Sequence, residues 1–334
     1  MAEKTPFPTV LKALANQDAI FPARFLALFS DLGPADLNAL AKVWPQVNVN
    51  RKRNLLRDLN NAYRDDDLLS YHEVAKLFIE DPDPLVRAQA VRLLEETGDV
   101  RLLPRLVEIG QHDPDVSVRT ETATVLGEFV ELGELDGIPR SQKEQVEEIL
   151  LRDVREEQNA HLQRAALESL GYSSRPEVAA LLENAFERPD PLWTASALLA
   201  ISRSADARWQ DQVIVSLSHE DTQVRLVAAQ AAGELELKAA RQTLLGMLEE
   251  EDDDEVLEAV IWSLSQIGGE DVRTYLQAML DAAEDEEQVG FLEDALTNLA
   301  FTEDLEGFDL MAYDPDDELG ELDEQEESGD EEKD

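Results

Sequence analysis

The chain has 334 residues, 43% of them hydrophobic, and a formal net charge of −45 with no cysteine. The missing cysteines exclude a disulfide framework, a thiol nucleophile and a Cys-based metal site. Residues 1–120 hold 15 Lys+Arg and 18 Asp+Glu, whereas residues 121–334 hold 14 and 56, which argues against a nucleic-acid partner, since that binding depends on basic residues neutralising phosphates.

In chain order, residues 5–63 read as short helices broken by Gly33, Pro34 and Pro45, with apolar faces from Phe25, Leu28, Phe29 and Trp44. They are out of phase with the periodic part of the chain after residue 67, so residues 1–67 are expected to be an N-terminal helical cap with room for one degenerate repeat. Ala19–Ser30, AIFPARFLALFS, contains Pro22 and Arg24 and lacks a basic region before it; it reads as a core helix of the cap and not as a signal peptide. No apolar run approaches the ~20 residues of a membrane span. With the absent cysteines, this leads to the expectation of a cytoplasmic protein with no membrane partner. Arg51, Lys52, Arg53, Arg57 and Arg64 form one basic cluster, read as a solvated helix face or else a phosphate-binding or intramolecular contact.

From residue 68 a pattern repeats. LVRAQAVRLLEETG (Leu85–Gly98) returns as DPDVSVRTETATVLG, LQRAALESLG, EDTQVRLVAAQAAG and DEVLEAVIWSLSQIG. One row runs Leu94, Leu126, Leu170, Ile201, Ala232, Leu264 and Leu296, with gaps of 32, 44, 31, 31, 32 and 32. A second row sits four residues earlier, from Ala90 and Thr122 to Leu292. Self-similarity at this period marks a helical repeat array. Each unit reads as two antiparallel helices, A and B. Asp-Pro pairs lie between them: Asp81-Pro82, Asp83-Pro84, Asp113-Pro114 and Asp190-Pro191. The acid suits the cap of a B helix and proline suits its first turn. Gly98, Gly127, Gly171 and Gly233 read as left-handed stops of B helices. The wide gap marks an insertion near Leu132–Lys143, expected to be a longer loop before a long A helix ending at Glu156. The predicted fold is all-α: a right-handed α-solenoid of about seven helical hairpins at residues 68–302, then an acidic, disordered tail at 303–334. Residues 314–334 hold 13 acids and one lysine, too little apolar surface to offset ordering.

The run D-x-x-V-R-x-x-A-x-x-x-L-G resembles the HEAT repeat, including the HEAT-like units of phycobilin lyases, and the chain is similar to uncharacterised bacterial HEAT-repeat proteins. The resemblance implies a ladder of hydrogen bonds between neighbouring repeats. Asp81 with Arg87 and Asp113 with Arg119 match its Asp and Arg, and Arg225 matches the arginine again. Gln163, Thr194 and Leu257 stand where the arginine is missing, so the ladder is expected to be interrupted. The resemblance also raises an alternative function, a bilin-lyase-like enzyme or assembly factor, although nothing in the residues specifies a bilin pocket. Deoxyhypusine hydroxylase, another HEAT-like enzyme, holds iron through His-Glu pairs. Here His72-Glu73 and His219-Glu220 are 147 residues apart and out of phase, and His112 and His161 have no following glutamate. Glu249–Glu255, EEEDDDE, lacks the glycine and spaced glutamate of an EF-hand loop. No phosphate-binding glycine loop, nucleophile elbow or H-E-x-x-H motif is present. The expectation is therefore no catalytic residue, no cofactor and no metal site.

Candidate binding residues come from two places. The junction ISRSADARW lacks the usual glycine; there Ser204 or Asp206 could cap the next helix, Trp209 could fill the core and Arg203 could pair locally, or Arg203, Asp206 and Trp209 could bind a ligand. On each B helix, positions zero, four, seven and eight from the first apolar anchor face the core, while two, six and nine turn away. Position nine is mostly small, as expected where helices crowd. Leu199, Gln230 and Trp262 at position six, with Leu226 at position two, are expected on the inner, concave face. The predicted function is a non-catalytic scaffold binding a protein, with a basic or mixed basic and apolar segment as its partner.

Overall fold

Apolar side chains recurring every three to four residues bury one stripe when the backbone coils at 3.6 residues per turn. In the computed structural model, which describes residues 5–16, 18–66 and 68–309, every regular element is a helix and no strand occurs among the described residues. The chain divides into two compact units, Met1–Trp209 and Gln210–Asp334.

The first unit contains α1 (Phe7–Ala15), α2 (Pro34–Val43), α3 (Val49–Asp65), α4 (His72–Phe78), α5 (Pro84–Arg92), α6 (Leu103–His112), α7 (Val116–Glu134), α8 (Arg140–Glu156), α9 (Ala160–Ser169), α10 (Glu177–Phe186) and α11 (Pro191–Ser204). B helices pack on successive B helices, α5 on α7, α7 on α9 and α9 on α11, while A helices α6, α8 and α10 each pack on the B helix that comes next in the chain. Helix α3 packs on α5 as α5 does on α7, so the N-terminal segment includes a helix in the B position, as a degenerate repeat would. The second unit repeats the scheme with α12 (Gln210–Ser216), α13 (Thr222–Glu234), α14 (Arg241–Glu250), α15 (Asp254–Ile267), α16 (Glu270–Ala282) and α17 (Glu286–Asp309). Helix α17 continues past residue 303, where the tail was expected to begin, and residues 314–334 lie outside the described residues.

The two phased rows form the core. Ala90, Thr122, Ala166, Ala197, Ala228, Val260 and Leu292 are fully buried, as are Leu94, Leu126, Leu170, Ile201, Ala232 and Leu264. Only Leu296 slips; it is half-buried, and the stripe of α17 runs through Leu292, Ala295 and Leu299 instead. Burying each leucine contributes roughly 1.5–3 kcal/mol against the entropy of ordering it.

Three expectations are corrected. Gly98 does take a left-handed φ of +55°, but Gly127 and Gly233 lie inside α7 and α13, and Gly171 lies in the 3-10 turn Leu170–Tyr172. Left-handed turns fall instead at Glu96, Asp136, Ala205 and Glu236. The glycines are there because the next B helix comes close. A Cβ would meet Ser169 Oγ at 2.8 Å from Gly127, Ala200 O at 2.4 Å from Gly171 and Gln266 Oε1 at 2.4 Å from Gly233. This is the crowding that the small residues at position nine implied. The insertion is not a longer loop. It extends α7 to Glu134, and residues 135–139 turn directly into α8. Lastly, Asp113 does not cap α7. In D-P-D sequences the second acid caps: Asp83 accepts the N–H of Val86, and Asp115 accepts that of Ser117.

Candidate functional site

The first acid of each D-P-D is left for the ladder. Arg87 donates from Nε and Nη2 to the two carboxylate oxygens of Asp113, both at 2.8 Å, and from Nη1 to the carbonyls of Asp81 and Pro82 at 2.9 and 3.2 Å. Arg119 bonds the Asp113 carbonyl at 3.0 Å and Glu157 at 3.2 Å. Arg225 repeats the arrangement in the second unit, with Glu251 at 2.6 and 2.8 Å and the carbonyls of His219 and Glu220 at 3.0 and 3.2 Å. The Arg225 guanidinium holds the Glu251 carboxyl below the usual carboxylate range. Gln163 stands in for arginine on one side only, donating to the Val154 carbonyl at 3.0 Å.

Asp81 takes its cation from the N-terminal segment: buried Lys52 donates to it at 2.7 Å, and Trp44 Nε1 donates at 2.7 Å. Arg53 grips Asp83 at 3.0 and 2.6 Å, depressing that carboxyl too. Of the basic cluster, Lys52 and Arg53 are therefore ladder residues and not a solvated face. The intramolecular alternative for the cluster therefore holds at these two residues, while Lys52, Glu157 and Glu251 were not legible as rungs because lysine or glutamate replaces the expected residue type. Their signal was spacing: Lys52 precedes Asp81 by 29 residues, close to the 26 separating Arg87 from Asp113 and Arg225 from Glu251.

The acidic run Glu249–Glu255 is built into the same framework. Glu251 is a ladder partner and Asp253 caps α15 at the Val256 N–H. His219 Nδ1 accepts the N–H of Asp221, and among the described residues no three His, Asp or Glu side chains are grouped to hold a metal. At the insertion, an open cleft of about 890 Å³ is lined by Glu134, Lys143, Glu147, Ser174 and Arg175, among others. Several of its charges are paired: Lys143 with Glu134 at 3.1 Å, and Arg175 with Glu148 and Glu177 at 2.5 and 2.6 Å, while Glu147 accepts from the Ser173 hydroxyl at 2.5 Å.

The residues proposed from sequence separate into two groups. Asp206 accepts the Arg208 N–H at 3.0 Å and pairs with its guanidinium at 2.8 Å. Trp209 is buried, its ring 6.5 Å from that of Phe186. Arg203 does not pair locally; it lies over the Tyr172 ring at 5.2 Å. With half-buried Leu199, these belong to the first unit. Leu226, Gln230 and Trp262 belong to the second, on packed helices α13 and α15. Leu226 is half-buried, Gln230 is exposed, and Trp262 is 41% exposed. Glu258, one turn before Trp262, and Asp294, its equivalent on α17, are exposed as well. Residues 210–309 carry 26 Asp+Glu and 4 Lys+Arg, a net of −22. Arg225, Arg241 and Arg273 are all in ion pairs, with Glu251, Asp271 and Glu303.

The model of the HEAT repeats family matches residues 72–141 and 211–289. These segments are HEAT repeats. Solved structures similar to the chain include YibA of Escherichia coli, 16% identical with a TM-score of 0.44, covering 84% of this chain and 98% of that one. The complex of CpcE and CpcF of phycocyanin lyase from Nostoc is 16% identical with a TM-score of 0.45, covering 68% and 94%. Human deoxyhypusine hydroxylase is 18% identical with a TM-score of 0.34, covering 78% and 95%. No curated protein sequence matches the chain. No helix among the described residues is long and apolar enough to cross a membrane.

Proposed function

We propose that this HEAT-repeat chain is a non-catalytic scaffold of the cytoplasm that binds another protein through the exposed edges of its B helices. The partner offers a basic, partly apolar segment. The observation that carries the reading is Trp262, whose large ring stands 41% exposed within a stretch, residues 210–309, of net charge −22. An apolar surface rimmed by charge is a common interaction site, and tryptophan is over-represented among residues that dominate binding energy. The ion pairs of the ladder and the helix cap within the Glu249–Glu255 run support a structural use for those charged groups.

The test is co-purification from the native organism with the parent chain and with a Trp262→Ala, Leu226→Ser double variant. We expect a stoichiometric partner on the parent and a weaker yield of it on the variant, at unchanged helical circular dichroism. Equal retention on both would refute the assignment to this surface. A purified protein that carried colour or metal would favour an enzyme or assembly factor instead.

A further inference from the structure

Three of the four tryptophans in this chain lie against cations. Lys52 lies 4.8 Å from the ring centre of Trp44, Arg188 lies 3.6 Å from that of Trp193, and Arg208 lies 5.4 Å from that of Trp209. Those three rings are buried. Trp262 is the exposed one, and among the described residues no Arg is placed over it.

We infer that the face of Trp262 is a seat for an arginine side chain presented by the partner protein, flanked by the carboxylates of Glu258 and Asp294. The inference rests on the proposed binding surface and names the group that the surface reads. A ring face attracts a cation through its quadrupole, most strongly for tryptophan. Glu258 precedes Trp262 by four residues and therefore lies one turn away on the same face of α15. Asp294 holds the equivalent place on α17, which packs against α15, and Gln230 holds it on α13. A guanidinium is planar and weakly hydrated, so it can stack on the indole while its edge donates to a carboxylate, which an ammonium does less well. Leu226 offers an apolar surface for the aliphatic stem. The arginines of this unit, Arg225, Arg241 and Arg273, are committed to Glu251, Asp271 and Glu303, so a guanidinium for the seat has to come from outside the unit.

The test uses the full chain and a fluorescein-labelled 12-residue peptide of arginine, leucine and serine, with a counterpart carrying neutral citrulline for each arginine. Anisotropy is measured at about 0.15 M salt, where the screening length is ~8 Å. The arginine peptide should bind the parent and lose between about 2- and 30-fold with Trp262→Leu, with Trp262→Phe in between. The citrulline peptide should not distinguish Trp262→Leu from the parent. Caesium should quench the exposed tryptophan emission of the parent more than iodide does, and bound arginine peptide should remove that difference. Equal affinity of the arginine peptide for parent and Trp262→Leu, no binding to the parent, or iodide quenching as strong as caesium quenching would each overturn the arginine seat. If Leu226→Ser still weakens the native partner in those cases, the binding surface stands without it. If it does not, both ideas fall.

Discussion

A Cβ on Gly171 would sit 2.4 Å from the carbonyl oxygen of Ala200 and 2.7 Å from its Cα, both backbone atoms of the next B helix. Nothing there can swing aside, so helix α11 itself must shift. Gly171→Ala should therefore cost about 1–3 kcal/mol, the usual range for overpacking. Gly246 provides the control. It lies inside α14, and a Cβ there meets nothing within 4 Å. Gly246→Ala should stabilise by about 0.5–1 kcal/mol, because alanine loses less backbone entropy in a helix. Urea midpoints of the two variants check both signs; a harmless Gly171→Ala would mean that the helices do not approach this closely. The same glycines show what one sequence can disclose. Their spacing marked the repeat, but a glycine needed for a left-handed turn and one needed for a close approach look alike until the neighbouring helix is in place. Trp262 was legible for the opposite reason: its place two residues from the core row required no knowledge of a neighbour.

At the scale of the element, the turn between α6 and α7 carries two acids with separate tasks, Asp115 capping the helix and Asp113 receiving the Arg87 guanidinium from the preceding repeat. The sequence showed the acids but not the division of labour, because both satisfy the same local rule for a helix start. Glutamate in place of aspartate at Glu157 and Glu251 hid the acidic partners of Arg119 and Arg225. Arg225 tests how much a rung contributes. It links Glu251 to the carbonyls of His219 and Glu220, with 19% and 7% of the arginine and glutamate side chains exposed. Arg225→Ala should cost about 1.5 kcal/mol, the low end for charge-assisted bonds, because water still reaches the arginine. Arg225→Lys should recover only part of this, since a point charge cannot fork to both oxygens. The pH dependence has a defined sign. Glu251 is depressed when folded, so the stability from its charge is present above the unfolded value of about 4.3 and is lost as pH falls through the folded value. The difference between parent and Arg225→Ala should shrink as pH falls below about 4 in thermal melts. A difference that stayed constant would assign the rung's contribution to packing alone.

Across the whole molecule, 74 acidic residues face 29 Lys and Arg, and residues 210–309 concentrate the excess at 26 to 4. The uneven distribution was legible from composition, as were the core rows. The division between Trp209 and Gln210 was not, because it falls where an A helix begins and leaves the repeat period undisturbed. The two electrostatic effects in the folded chain oppose one another. Ion pairs such as Arg140 with Glu144 and Arg57 with Asp58 attract but stand largely in water, where such pairs are weak. The many carboxylates without a cation repel, and a high net charge of one sign destabilises a compact state. Salt screens both, cutting the screening length from ~30 Å at 0.01 M to ~3 Å at 1 M. The attractive pairs are short, a few ångströms, and lose little; the repulsions act over longer distances and lose most of their strength. The melting temperature should therefore rise with sodium chloride over this range, and calorimetry at several concentrations would measure it. A melting temperature that fell with salt would show that the paired charges, and not the unpaired ones, dominate the energetics of the fold. The Trp262 surface should move the other way, because the field that draws a basic segment to it is screened by the same ions that relieve the self-repulsion.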